Sequence, residues 1–509
     1  MKKFWLVLLS LGLVMAFGVS AFAVDVKVSG EYYAAGMYLN KTTVADPVIK
    51  NIGYPFNGGA APYYTNPYPS AKANPSTAFF YQRLRVGTDF IVSPSLKLVT
   101  RFDAMERIWG GARSSSSTSD IYSSGTRAES ENIAFDLCYI DYTSPIGKFI
   151  VGYARDYNWG TIFGNKYGTA GMSNGQIAYI VPVGPVIISA NAVKETDRSV
   201  SAVTSGVTTD QDYDSYRLAV TYKPQNKNFE AGLLWLYERD ATGKRSGLTL
   251  PSGASISPYL QNAHGLSPYF KATIGPVFVQ GEFAYGFGDA AKWEDNYPGP
   301  LPNISISTIS AFLDATANLG MFYVGGSFAY LSGDDPDTND KLEGSGSLLA
   351  VNTGGLDWNP CLILFNNDIT YWTGGIQGNG LWATNSFTEA GGKMTNAWFF
   401  QGRVGVKPTP QWDVMLSLSY ATTDKKRGHY TGLPSQGLPH VNNTNSTYGT
   451  EIDLTATYKI TNNLSYMLGA GYLFTGDYFK GYEPYYSAYG LKDETVDDYI
   501  LLNKLTLSF

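Results

Sequence analysis

The stretch from Phe79 to Trp109, FFYQRLRVGTDFIVSPSLKLVTRFDAMERIW, constrains the chain more than any other. Two long runs meet at Ser93-Pro94-Ser95, a residue set suited to a tight turn. In the first run Phe80, Leu84, Val86, Thr88 and Phe90 share one face, and Arg83, Arg85, Gly87 and Asp89 share the other. In the second, Leu96, Leu98, Thr100, Phe102 and Ala104 oppose Lys97, Arg101, Asp103 and Arg107. Such sustained alternation predicts a sheet with one apolar and one charged face. Strands of soluble domains usually span about 5–6 residues, whereas a tilted strand needs about 9–11 to cross a bilayer. Turned toward lipid, each arginine near the midplane would cost about 2–4 kcal/mol, so the charged face is expected to line a wet interior.

A three-residue turn pairs Val92 with Leu96, which sets Arg85 across from Asp103 and Gly87 across from Arg101. The inner face of this hairpin then carries Arg83, Arg85, Lys97, Arg101 and Arg107 against Asp89 and Asp103, or 5 − 2 = +3. These seven residues are the candidate pore lining.

The rest of the 509-residue chain repeats the pattern. Short turns recur at Ser144–Gly147, Pro182–Pro185, Lys223–Lys227, Gly275-Pro276, Asn318–Gly320, Lys407–Gln411 and Thr461–Asn463. Long polar connections lie between them. With the Ser93 turn, eight hairpins give sixteen strands, and one further strand at each end makes eighteen, with sixteen or twenty as alternatives. Alternating short and long connections predict a transmembrane antiparallel up-and-down β-barrel with periplasmic turns and extracellular loops. Asn359–Thr373, NPCLILFNNDITYWT, either adds a hairpin or folds into the lumen.

Composition agrees: 15% aromatic, 55 glycines and only 16% charged residues, against about 25% in ordinary globular domains. Tyrosines and tryptophans near strand ends, such as Tyr142, Tyr222, Trp412 and Tyr458, suit aromatic girdles at the membrane interfaces. Residues 1–23 combine Lys2 and Lys3, an apolar run and Ala21-Phe22-Ala23, the pattern of a signal peptide, which leaves 24–509 as the barrel. Its removal takes the formal charge from −6 to −8, which argues against nucleic acid as a partner. The two cysteines, Cys138 and Cys361, and three histidines show no ligand spacing. No GxSxG, HExxH, P-loop or dinucleotide motif stands where an enzyme would need one.

The chain ends in YILLNKLTLSF, with Tyr499, Leu501, Leu505, Leu507 and Phe509 on one face. An amphipathic last strand with a terminal aromatic resembles the membrane-insertion signal of bacterial outer-membrane β-barrels, Phe509 standing at its end. With the leader and the alternating connections, the chain resembles the porins, general or substrate-selective, and more distantly the alginate-export barrels. The inward Arg83, Arg85 and Arg101 are similar to the arginines that porins place near their constriction. The resemblance implies location in the outer membrane of a Gram-negative bacterium, contact with its lipid, insertion by the barrel-assembly machinery, and a homotrimer. It implies a passive channel for small hydrophilic solutes and no cofactor.

Two readings stand beside it. An Arg-lined lumen also suits a selective channel or exporter for an acidic polysaccharide or other anion, and a plugged barrel with long loops suits a structural or adhesive surface protein. Glu230, Glu238, Glu282, Asp413, Glu451 and Asp453 fall inward on later strands against Arg217, Lys271, Arg403 and Lys459, so a basic wall is expected to face a mildly acidic one. By resemblance to porins, the glycine-rich Asn158–Gly175, with Lys166 its only charge, is a candidate constriction loop, an external loop or a latch on a neighbouring subunit being the alternative. Asp334, Asp335, Asp337 and Asp340 cluster as a calcium-binding loop would, but without the DxDxDG spacing.

Overall fold

The period-two runs are strands, and they close on themselves. The computed structural model describes residues 24–41, 44, 76–110, 133–155, 159–162, 173–198, 210–244, 258–293, 303–335, 337, 338, 340–344, 358–366, 369, 372, 394–426, 428–430, 440–442, 446–479 and 495–509. The expected signal peptide lies outside the described residues.

Eighteen antiparallel strands form the wall. They are β1 (Asp25–Leu39), β2 (Thr77–Ser93), β3 (Leu96–Ile108), β4 (Ile133–Ser144), β5 (Gly147–Arg155), β6 (Ser173–Val183), β7 (Val186–Thr196), β8 (Tyr213–Tyr222) and β9 (Phe229–Asp240). The second half comprises β10 (Tyr259–Ile274), β11 (Val277–Trp293), β12 (Ile304–Leu319), β13 (Phe322–Leu331), β14 (Ala397–Val406), β15 (Trp412–Thr423), β16 (Thr447–Lys459), β17 (Leu464–Thr475) and β18 (Asp498–Ser508). Each pairs with its sequence neighbours, and β18 pairs with β1 from Glu31 opposite Ser508 to Leu39 opposite Ile500, which closes the cylinder. All eight short turns expected from the sequence join these strands on one rim.

Closure by register slip would turn every side chain to the wrong face, so register is the quantity that matters. Arg85 stands opposite Asp103 and Gly87 opposite Arg101, as expected. The turn itself differs: Ser93, not Val92, pairs with Leu96, and a bulge between Ile91 and Ser93 restores the alternation.

The outer face is apolar and open: Phe80, Phe135, Ile177, Leu218, Leu418 and Leu454 all point away from the interior. Aromatic pairs mark both rims, Trp412 with Tyr458 at 4.8 Å on the turn side and Tyr330 with Trp398 at 4.3 Å on the loop side. With lipid on that face, the backbone finds its partners only within the wall, which a closed barrel alone supplies.

Candidate functional site: an ion-paired wall and two inward loops

The arginine ladder faces the interior, and carboxylates from neighbouring strands meet it. Arg85 grips Asp103 through two parallel bonds, Nε to Oδ1 and a terminal nitrogen to Oδ2, both 2.7 Å. Arg101 takes Asp136 of β4, its Nε at 2.8 Å from Oδ2. Lys97 bonds Asp89 at 2.8 Å and lies 3.7 Å from Asp141, which also holds Lys148 at 2.8 Å. Arg83 lies between Glu31 at 3.7 Å and Glu106 at 3.8 Å, its guanidinium over the Tyr33 ring. The +3 excess expected on this hairpin is therefore offset by Glu106 of β3 itself and by Glu31, Asp136 and Asp141 on the neighbouring strands.

Two bulges account for the difference. An extra residue in β4 places both Asp136 and Leu137 across from the Arg101 segment, which delivers the carboxylate inward. In β3 an extra residue at Met105, in the left-handed region at φ 53°, shifts the alternation beyond Asp103. Arg107 accordingly pairs with Gln82, on the parity of Phe80 and Leu84, while Glu106 takes the inward place. Arg107 is thus removed from the expected pore lining. The polar wall continues over β6–β9, where Asn191 donates to Gln176 at 2.9 Å and Arg217 lies 3.2 Å from Glu195.

The acidic residues on later strands do something else. Glu282 of β11 accepts the backbone N–H groups of Thr161 and Ile162 at 2.8 and 2.9 Å and the Thr161 hydroxyl at 2.8 Å. Gly160 permits this approach: its φ is +72°, and a Cβ there would sit 2.7 Å from the Glu282 carboxyl. Trp159 anchors the same loop, its indole N–H donating to the Ser267 carbonyl at 2.9 Å and its ring edge-on to Tyr269. The glycine-rich connection therefore turns inward at its start; Lys166 lies outside the described residues.

Glu451 of β16 does the same for the longest connection. Its oxygens accept the Ile363 and Leu364 N–H groups at 2.6 and 2.7 Å, and Asp453 Oδ2 accepts that of Leu362 at 3.4 Å. Asn366 braces the turn by donating to the carbonyls of Cys361 and Leu362. Ile363, Leu364, Phe365 and Trp372 pack into one apolar cluster with inward residues of the wall, including Tyr33, Tyr81, Phe312, Phe399 and Tyr448. Of the two outcomes expected for Asn359–Thr373, the lumen is the observed one. Ile162 packs against this cluster too, so both inward loops contribute to one apolar core. The expected acidic wall facing the arginines does not form as such, because Glu282, Glu451 and Asp453 face loop backbone.

No protein-family model matches the chain, and no curated protein does. Several solved outer-membrane channels superpose along almost its whole length. Pseudomonas aeruginosa OccK9 (OpdG) is 11% identical, covers 95% of this chain and 99% of its own, and gives a TM-score of 0.46. Pseudomonas aeruginosa OccK2 (OpdF) in complex with glucuronate is 9% identical over 95% of this chain and 98% of its own, at 0.45. The outer membrane channel DcaP of Acinetobacter baumannii is 11% identical over 96% and 99%, at 0.38.

The remaining candidates sit apart from the wall. Asp335 binds Lys425 at 2.9 Å, and that ammonium holds its carboxyl below the usual range. Asp334 Oδ1 accepts the Glu343 N–H at 2.8 Å, so these two carboxylates serve the loop's own turns. Asp340 gives its carbonyl to the Ser305 N–H. Cys138 is exposed on the outer face and Cys361 buried inside, and both are free thiols. Burial pushes the Cys361 thiol well above its ordinary range, and Glu451 and Asp453 add to the effect. Phe509 pairs with Gly30 through two backbone bonds, 2.8 and 3.0 Å, at the seam where β18 meets β1.

Proposed function

We propose that the barrel is a passive, water-filled channel for small hydrophilic solutes in the outer membrane of a Gram-negative bacterium. One observation carries the reading: the interior is divided. Apolar loop residues fill it against β12–β18 and β1–β2, and Trp159 covers part of β8–β11, while β2–β7 present ion pairs and amides along the height of the wall. Charged and polar side chains along one side of a lumen suit the path of a hydrated solute, and width sets its size limit.

Paired charges select weakly. Each base of the ladder has a carboxylate at contact distance, so its field falls off as that of a dipole. We therefore expect modest ion selectivity, and the reading as a dedicated anion or acidic-polysaccharide channel becomes the less favoured alternative. A structural or adhesive barrel has one observation in its favour, the filling of part of the lumen by one apolar cluster to which both inward loops contribute. A homotrimer, with folding by the barrel-assembly machinery, belongs to the proposal.

Planar-bilayer recording of the purified protein tests it. Stable single-channel steps, with a small reversal potential under a salt gradient, are the expected result. A silent protein would leave the structural reading in possession.

A further inference from the structure

The inward loop brings Cys361 beside Glu451 and Asp453 of β16. The thiol sulfur and one oxygen of each carboxylate lie within 4.8 Å of one another, and the three residues are 2, 0 and 3% exposed. Both Glu451 oxygens and Asp453 Oδ2 hold backbone N–H groups. Asp453 Oδ1 is buried with no hydrogen-bond partner. Neither carboxylate has a basic partner among the described residues, whereas Asp103, Asp136, Asp141 and Glu195 on the opposite wall each have one. Two neighbouring carboxylates in a dry pocket are costly unless a proton or a cation sits between them. One sulfur beside two oxygens selects against calcium and magnesium, which take oxygen ligands, and suits zinc.

We propose that Cys361, Glu451 and Asp453 bind one divalent transition-metal ion of the zinc type, which pins the inward loop to the barrel wall. Ligand atoms on a tetrahedral zinc sit roughly 3.6 Å apart, so the site need contract by no more than about 1 Å on binding. The thiol proton leaves to solvent as the metal–sulfur bond forms, and water completes the coordination. Each Glu451 oxygen keeps a free lone pair after accepting its N–H, so the carboxylate serves both the loop and the metal.

Cobalt is the probe. The full chain, folded in detergent and stripped with a chelator, is titrated with Co²⁺ and dialysed to stoichiometry. Expected are one Co²⁺ per chain, a thiolate-to-cobalt charge-transfer band, and displacement of both by Zn²⁺. Cys138→Ser keeps the band. Cys361→Ser abolishes it and weakens binding at least about tenfold, and Asp453→Asn weakens binding by a similar factor. Folding of each variant is read from the cold-gel mobility of the closed barrel. Absence of the band in the folded chain, or equal Co²⁺ affinity in Cys361→Ser, Asp453→Asn and the unaltered chain, overturns the proposal and leaves a proton shared by the carboxylates. Conductance enters none of these readouts, so they stand apart from the test of channel function.

Discussion

Asp136 decides whether Arg101 acts on the lumen as a cation or as half of a dipole. Its place follows from one extra residue in β4, a bulge that the run Phe135-Asp136-Leu137-Cys138 signals only by breaking the alternation once. The Arg85–Asp103 pair, by contrast, was legible from a count back from the turn, although the turn is tighter than counted and the bulge between Ile91 and Ser93 makes up the difference. Replacing Asp103 and Asp136 together by Asn removes the carboxylates that Arg85 and Arg101 grip. A unit charge about 8 Å from a permeating ion is worth about 0.5–2 kcal/mol at effective dielectric constants of 80 to 20, so anion permeability should rise about two- to thirtyfold and cation permeability fall by a similar factor. Reversal potentials under a salt gradient measure this, and an unmoved potential would show that permeating ions do not pass the ladder. At Gly160 the prediction concerns shape. Ala there must adopt φ +72° and put its Cβ 2.7 Å from the Glu282 carboxyl, so Gly160→Ala should detach Thr161 from Glu282. Faster hydrogen exchange at the Thr161 and Ile162 amides is the expected sign, with the strand amides of β11 unchanged.

At the scale of elements, both inward loops are held by the same device: a strand carboxylate accepts consecutive loop N–H groups. Each such hydrogen bond contributes about 0.5–1.5 kcal/mol, and more where the acceptor is ionised, enough to hold a segment whose own backbone has no ladder to join. The sequence placed Glu282 and Glu451 inward by parity but could not assign their partners, because those lie 120 and 87 residues away in loops without periodicity. Glu451→Gln presents one acceptor and an unwanted NH₂ to two donors, so the 358–366 segment should loosen. Larger open-channel current fluctuations than in the unaltered protein are expected, at unchanged cold-gel mobility. A second tie works by charge. Asp335 of the connection after β13 meets Lys425 after β15; the carboxyl is held below its usual 3.8 and the ammonium above its usual 10.5. The sign follows for each partner: Asp335 contributes above 3.8 and is lost as pH falls through its lower folded value, and Lys425 contributes below 10.5 and is lost as pH rises through its higher one. Amide protection factors at Gly333 and Thr338 should stay level through neutral pH and drop on acidification below 3.8, and Asp335→Asn should reproduce the drop at pH 7.

The whole molecule was the most legible level, because closure needs only an even number of amphipathic strands and a turn between each pair. The strand total, the turn side and the outward faces all follow from that count. The division of the lumen does not. Leu362, Ile363, Leu364 and Phe365 form an apolar run that fits a strand as well as a plug, and only the three-dimensional match to Phe399, Tyr448 and Tyr81 decides between them. That division makes a prediction about size. If the loop cluster fills one side and solutes pass along the ion-paired side, the width left to them is set by loop packing and not by the strand count. Replacing 358–366 with a Gly/Ser segment of equal length removes Phe365 and its neighbours while leaving every wall strand intact. In liposome swelling with neutral sugars of graded mass, the unaltered protein should admit small sugars and exclude larger ones. The replacement should admit sugars the parent excludes, with the mobility of the closed barrel preserved. An identical cut-off in both would place the narrowest point elsewhere, and the glycine-rich loop at Trp159–Ile162 would be the next segment to replace.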